Sequence, residues 1–228
     1  MRTAFFVDGY NLYYGVLHGS DHKWLDLTAL LTAVLHVQDP ASIPASIDYF
    51  TSPVIARLAT RGQASNDAQH RYIRALQARG VAVTQGNHRL AKGYAPRYVE
   101  GQKASRKDQV AVWQLEEKET DVNIALGMYR AACRAEQLHI EQIILVSGDT
   151  DLAPALAAIR QDFPHIRLGV ILPHRQEGDE LVRNPPGSLK RHADWMRTYI
   201  TDEELSACQL PLKVPLIKKP AIVKLDYW

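Results

Sequence analysis

Cysteine is almost absent from this chain, and its two occurrences form no pattern. Cys133 falls in a helical stretch and Cys208 near the end, which fits neither a disulfide framework nor a zinc site. No apolar run approaches the roughly 18 residues that a membrane-crossing helix needs. Met1-Arg2-Thr3 leads straight into an apolar strand instead of a cationic leader with a hydrophobic region. The expectation is therefore a cytoplasmic protein with no membrane partner. No Gly-x-Gly-x-x-Gly follows the apolar runs considered below, which argues against a dinucleotide-dependent redox enzyme. The nine histidines include no His-Glu-x-x-His, so none is assigned a metal. Repeats and low-complexity tracts are missing, and a net charge of +2 decides nothing by itself.

What is present is an ordinary globular composition, 46% hydrophobic and 23% charged over 228 residues. That is enough chain for one main domain with an appendage. Two apolar runs stand out because each stops at carboxylates. Ala4-Phe5-Phe6-Val7 ends at Asp8-Gly9-Tyr10-Asn11, and Ile143-Ile144-Leu145-Val146 ends at Ser147-Gly148-Asp149-Thr150-Asp151. Short apolar runs followed at once by helical sequence read as buried parallel strands of an α/β fold. Ligands in such folds gather at the carboxyl ends of the strands. Acidic strand ends therefore predict one site assembled from distant sequence, and hard oxygen ligands suit Mg²⁺ or Mn²⁺.

Taken in order, strands are expected at 3–7, 46–51, 81–84, 142–146 and 167–171. Helices are expected at 25–37, 68–79, 122–136 and 152–162, with Asp26 capping the first of these and a weak helix at 178–183. Alternating strands and helices predict right-handed parallel crossovers. The expected fold is a three-layer, Rossmann-like α/β sandwich with strand order 3-2-1-4-5 and helices on both faces. Residues 61–67 read as a loop. Residues 86–110 read as an irregular basic insert, in which Arg89, Lys92, Arg97, Lys103, Arg106 and Lys107 face the single acid Glu100 across positions 86–107. A main domain is expected over 1–200. Residues 201–228 read as an extended, proline-containing strap whose Leu212, Leu216, Ile222 and Trp228 dock on the body.

Each carboxylate also has an ordinary explanation. Asp8 suits a turn, and Asp149 and Asp151 suit helix caps, a role that for Asp151 is expected alongside a functional one and does not exclude it. Asp121 carries more weight, because steps of three and four from it reach Ile124, Ala125, Met128 and Ala132. It heads the stripe that should face the sheet, with Glu117 one turn earlier if the helix extends that far. If the first and fourth strands are neighbours, Asp8, Asp149 and Asp151 converge, and a divalent cation would relieve their repulsion.

Three blocks, Phe6 to Leu12, Glu117 to Leu126 and Val146 to Pro154, resemble NYN-domain proteins, a branch of the PIN-like nucleases, and among them the LabA-like group. The terminal Pro-to-Trp tail is similar too. The resemblance implies a PIN-like fold and metal-dependent hydrolysis of RNA, an endoribonuclease using Mg²⁺ or Mn²⁺. Matched by position, it assigns Asp8, Asn11, Asp121, Asp149 and Asp151 to the catalytic site, with Ser147 close by. Asp8, Asp121, Asp149 and Asp151 would hold metal, while Asn11 and Ser147 would meet substrate. One position departs: Gly127 stands where many relatives carry a further acid. Arg89, Lys92, Arg97, Lys103, Arg106 and Lys107 would neutralise RNA phosphates, with Tyr94 or Tyr98 stacking on bases. Such contacts carry no DNA sequence readout. A merely solvated loop, a non-catalytic RNA- or protein-binding module, a small-molecule phosphatase and a homo-oligomer all stay open at this point.

Overall fold

The computed structural model describes residues 1–176 and 184–228; the expected helix at 178–183 lies outside the described residues. Strand β1 (Arg2–Asp8) is buried over all but its first residue, and β6 (Gln142–Val146) is buried throughout. They pair in parallel, with Val7 opposite Val146. Because side chains alternate across a strand, each run feeds two cores. Phe5, Val7, Ile144 and Val146 enter one apolar cluster, whereas Ala4, Phe6, Ile143 and Leu145 enter the other.

The first cluster is covered by α2 (Leu27–Gln38) and α3 (Gln63–Ala78), through Leu30, Leu31, Val34, Tyr72 and Leu76. The second is covered by α4 (Thr120–Cys133) and α6 (Ala153–Asp162), through Ile124, Met128, Leu156 and Ile159. Asp26 caps α2 by accepting from the amides of Thr28 and Ala29, as expected for that residue before Leu27. Ahead of α6 only one of the two expected aspartate caps forms. Asp149 accepts from the amide of Asp151 and opens a 3₁₀ turn, Thr150–Leu152, whereas α6 itself starts after Leu152 with no side-chain cap.

Among the described residues the central sheet runs β3-β2-β1-β6-β7-β8, with β2 at Ile43–Thr51, β3 at Ala82–Gln85, β7 at Arg167–Ile171 and β8 at Trp195–Arg197. This differs from the expected order 3-2-1-4-5. The edge gains β8, three half-buried residues too short to show a period, and two further strands intervene in the chain before β6. Those two form a separate antiparallel hairpin, β4 (Asn87–Pro96) and β5 (Gln109–Lys118). The expected irregular insert is therefore an arm of ten residue pairs, about 30 Å long. Solvent on both sides leaves it without a continuous apolar face, which is why the sequence reads as loop.

Two other expectations are corrected. Residues 61–67 are not all loop, since α3 starts at Gln63. Residues 201–228 are not an extended strap, because α8 (Asp202–Ala207) precedes a hairpin of β9 (Lys213–Leu216) and β10 (Lys219–Val223). A capping box between Thr201 and Glu204 starts α8. Ile222 is buried, whereas Leu212 is 71% exposed and does not dock.

The turn from β1 into α1 (Gly9–Leu12) sets the position of Asp8. A Cβ on Gly9 would sit 2.5 Å from the Tyr49 ring and 2.7 Å from the Phe50 carbonyl oxygen, so glycine is needed here for close approach. Gly9→Ala should cost about 1–3 kcal/mol through overpacking, seen as a lower urea midpoint. An unchanged midpoint would show that Tyr49 yields freely.

Candidate active site

The parity of β1 and β6 decides where the strand ends point. Asp8 follows Phe6, and Ser147 follows Leu145, on the α4 side of the sheet, and the two meet there. Ser147 Oγ donates to Asp8 Oδ2 at 3.0 Å and accepts from the amide of Asp149 at 3.0 Å. Asp8 Oδ1 accepts from the amide of Asn11 at 2.9 Å, and Asn11 Oδ1 in turn accepts from the amide of Gly148 at 2.9 Å. The ends of two distant segments are thus laced together. Asp8 is 5% exposed, and burial pushes its carboxyl up from 3.8 to about 6 against the lowering effect of those hydrogen bonds, with Asp121 and Glu117 adding repulsion.

Asp121 lies in the first turn of α4, at the exposed rim. Its carboxyl is raised first by lost hydration and then by Asp149, Glu117 and Asp151 in turn. This repulsion, with that of Asp121 and Glu117 on Asp8, puts these carboxylates within electrostatic reach of one another. Glu117 does not sit on the helix, since it belongs to β5. Its Oε1 accepts from Ser52 Oγ at 3.0 Å and from Thr120 Oγ1 at 2.7 Å. These bonds tie the hairpin root to the end of β2 and to the start of α4. Glu119, just before the helix, holds φ at 77°, a left-handed conformation uncommon for a residue with a side chain.

The donor set fits a divalent cation in its chemistry. Among the described residues no ion pair offsets Asp8, Glu117, Asp121, Asp149 or Asp151, and an uncompensated buried carboxylate is costly. No three His, Cys, Asp or Glu side chains among the described residues are gathered closely enough to ligate one ion directly. That suits an ion held by one or two carboxylates with the remaining positions left to water, the usual habit of Mg²⁺. Gly127, further along α4, is closely packed. A Cβ there would lie 3.1 Å from the Phe50 ring and 3.2 Å from that of Phe6.

The basic residues are elsewhere. Cross-strand partners share a face, so Lys92, opposite Trp113, lies on the face of the arm that carries His88 and Glu117, while Arg89, opposite Glu116, lies on the reverse. Arg97, Lys103, Arg106 and Lys107 sit at the exposed far end, where Arg97 pairs with Asp108 at 3.3 Å. Sequence reasoning missed the anchoring role of Glu117, Ser52 and Thr120, and it missed Tyr10, whose ring meets His88 edge-on at 5.4 Å. Glu117 carried one signal, its four-residue spacing from Asp121, although a strand and not a helix supplies the geometry. Ser52 carried none.

Because burial raises the Asp8 carboxyl, the folded chain holds that proton more tightly than the unfolded chain. Stability conferred by the neutral form is present near pH 4 and lost as pH rises to about 6. In metal-free protein Asp8→Asn should therefore stabilise by up to about 3 kcal/mol at pH 7, with little gain at pH 4. Mn²⁺ should raise the melting temperature of the native chain and not of the variant. Equal melting of the two proteins at pH 7 without metal would refute the burial cost.

Three comparisons bear on this arrangement. Over the whole of this chain and 75% of the relative, 34% of residues are identical to the 6-hydroxy-3-succinoylpyridine 3-monooxygenase HspA of Pseudomonas putida (strain DSM 28022 / S16). The crystal structure of a protein of unknown function from Vibrio parahaemolyticus RIMD 2210633 superposes with a TM-score of 0.50 at 19% identity, covering 89% of this chain and 94% of that one. That likeness concerns the fold alone. The model of the NYN domain matches residues 2–188, which span β1, the hairpin arm, α4 and the β6 strand end, and the chain accordingly belongs to the NYN domain family of the PIN-like superfamily.

Proposed function

We propose that the chain is a ribonuclease that hydrolyses RNA phosphodiesters at a Mg²⁺ or Mn²⁺ ion in the notch, ligated directly by one or two of Asp8, Asp121, Asp149 and Asp151 and through water by the others. The observation that carries the reading is the buried Asp8 carboxylate, raised to about 6 beside other acids and without a basic partner among the described residues. When bound, the ion supplies a water of lowered pKa and offsets charge on the scissile phosphate. Ser147 and the Asn11 amide hold the Asp8 carboxylate in one orientation, with its oxygens at 3.0 and 2.9 Å from them. Asn11 Oδ1 is occupied by Gly148, which leaves its Nδ2 to donate to a phosphate oxygen. Asp151, exposed beside Asp149, is placed to orient water. The arm takes the flanking phosphates through Lys92, Arg89 and the distal Arg97, Lys103, Arg106 and Lys107. Binding should therefore weaken with salt and be insensitive to sequence.

One observation favours a second reading: the relative of 34% identity is named as a monooxygenase of a substituted pyridine. In this reading the chain acts on a small heteroaromatic acid.

A labelled single-stranded RNA in Mn²⁺ separates the two. Loss of outer-shell support at metal sites already costs 10–100-fold, so Asp8→Asn and Asp149→Asn should each slow cleavage by about 100-fold or more. Cleavage that both variants retain would sink the ribonuclease reading. Turnover of 6-hydroxy-3-succinoylpyridine without RNA cleavage would put the second in its place.

A further inference from the structure

On the opposite side of the β1 end from the notch lies a cavity of about 290 Å³. Gly9 and Tyr10 form part of its wall, so the residues directly after Asp8 separate the two spaces. Aromatic rings share its other walls with aliphatic side chains such as Leu17, Val54, Ile55 and Leu58. Tyr49 comes from β2, Tyr72 from α3, and Tyr13 and Tyr14 from the π-helical turn Tyr13–Leu17. Trp228 lies against Tyr72, with ring centres 6.5 Å apart, and its indole nitrogen donates to the Lys23 carbonyl at 3.1 Å. The preceding residue fixes this end of the chain: the Tyr227 carbonyl accepts from Arg61 at 2.6 Å.

Three features define what the cavity takes. Its size is near the lower end of ligand pockets, room for one ring system with a short substituent. Tyr10 and Tyr14 are stacked at 6.0 Å and 23°, and Tyr13 and His18 also meet the Tyr14 ring, at 5.2 and 5.6 Å, yet Tyr14 is 65% exposed, which leaves part of its ring open to a further one. Polar residues also line it, among them Thr51, Thr60, Ser65 and Gln69, and three groups differ in kind from these. His88 Nδ1 donates to the Pro53 carbonyl at 2.7 Å, so in the neutral ring Nε2 is an acceptor. Lys23 and Tyr13 line the cavity, and neither the ammonium of the one nor the hydroxyl of the other makes a hydrogen bond or ion pair among the described residues.

We propose that this cavity binds a planar heteroaromatic ring carrying an acidic substituent, the ring against Tyr14, a ring N–H on His88 Nε2, and the acid on Lys23. Two sources share that chemistry, a nucleotide of an RNA strand whose backbone crosses into the notch, and a free pyridine-type acid. The inference deepens the readings above and stands apart from the metal chemistry of either.

Calorimetric titration in EDTA, which keeps the notch free of metal, tests it with uridine 5′-monophosphate, with 6-hydroxypyridine-3-carboxylate, whose pyridone tautomer carries a ring N–H, and with ribose 5-phosphate as the control that lacks an aromatic ring. At least one ring ligand should bind about tenfold or more tightly than ribose 5-phosphate. Tyr14→Ala and Lys23→Gln should each weaken it by about tenfold, in line with the loss of one stacking or charged contact. Preference for the nucleotide identifies a strand base as the occupant, and preference for the pyridine acid identifies a free small molecule. Absence of binding by both, or binding that neither substitution weakens, overturns the proposal. Asp8→Asn keeps the outcomes apart. Ring binding that survives this substitution while no protein cleaves RNA removes the ribonuclease reading alone, and cleavage without ring binding removes the cavity proposal alone.

Discussion

The bond from Ser147 Oγ to Asp8 Oδ2, 3.0 Å long and wholly buried, is the contact on which the rest of the site depends. It exists because β1 and β6 are neighbours in register and because both side chains fall on the same side of the sheet. Displacing either strand by one residue would move its end to the other face, where α2 and α3 stand and no acidic cluster waits. The apolar alternation of Ala4 to Val7 and of Ile143 to Val146 therefore does more than form the core. Burial on both faces locks the register, and the register aims the two polar residues that follow.

This contact also explains the tension within the site. A carboxylate held at 5% exposure among other acids is disfavoured as an anion, and the two hydrogen bonds that Asp8 accepts only partly offset the loss of water. Natural sites carry such strain where charge has a task. Here the surrounding scaffold is rigid enough to bear it: α4 is fastened by Ile124 and Met128 inside and by the Glu117–Ser52–Thr120 triangle at its start. Phe6 and Phe50, stacked at 6.2 Å, fill the space below Gly127. The chain thus uses at that position an aromatic floor where a larger acid would have no room without moving a ring.

How much of this was legible in sequence follows from which residues are buried in periodic runs. The α/β class, the parallel strands and the neighbouring ends of β1 and β6 can all be read there, because strand burial imposes apolar runs and the residues that follow them are polar. The hairpin arm was not legible. Its alternating exposure leaves His88, Leu90 and Lys92 on a surface with no core to select apolar residues, so composition suggested a basic loop. Its basicity was also overstated, since β5 returns Asp108, Glu116 and Glu117 on the second strand. Glu117 was misplaced for a related reason: four-residue spacing from Asp121 mimics one helical turn, but the chain reverses at Glu119 through a left-handed residue that leaves no mark in the pattern. The cavity was not legible either, because the fold of the distant tail, which brings Trp228 to Tyr72, is needed to close one around Tyr10, Tyr13 and Tyr14.

The notch and the cavity stand on opposite sides of one short crest, Gly9 and Tyr10, and this placement bears on how a single family scaffold could serve different chemistry. Both spaces use the same structural fact, the close approach of Gly9 to Tyr49, which brings the backbone after Asp8 down onto β2. The Tyr10 hydroxyl is buried beside Glu117, which together hold its proton well above the usual phenol range, and it donates to the Ser52 carbonyl at 3.2 Å. Tyr10 therefore touches the group that anchors α4 on one side and the stacking surface on the other. A substrate long enough to cross the crest would meet carboxylates and aromatic rings together, whereas a compact one would fill the ring cavity and leave the acids to water. The selection between those modes rests on substrate length and on what occupies the notch, since the residues that line both spaces come from the same turn.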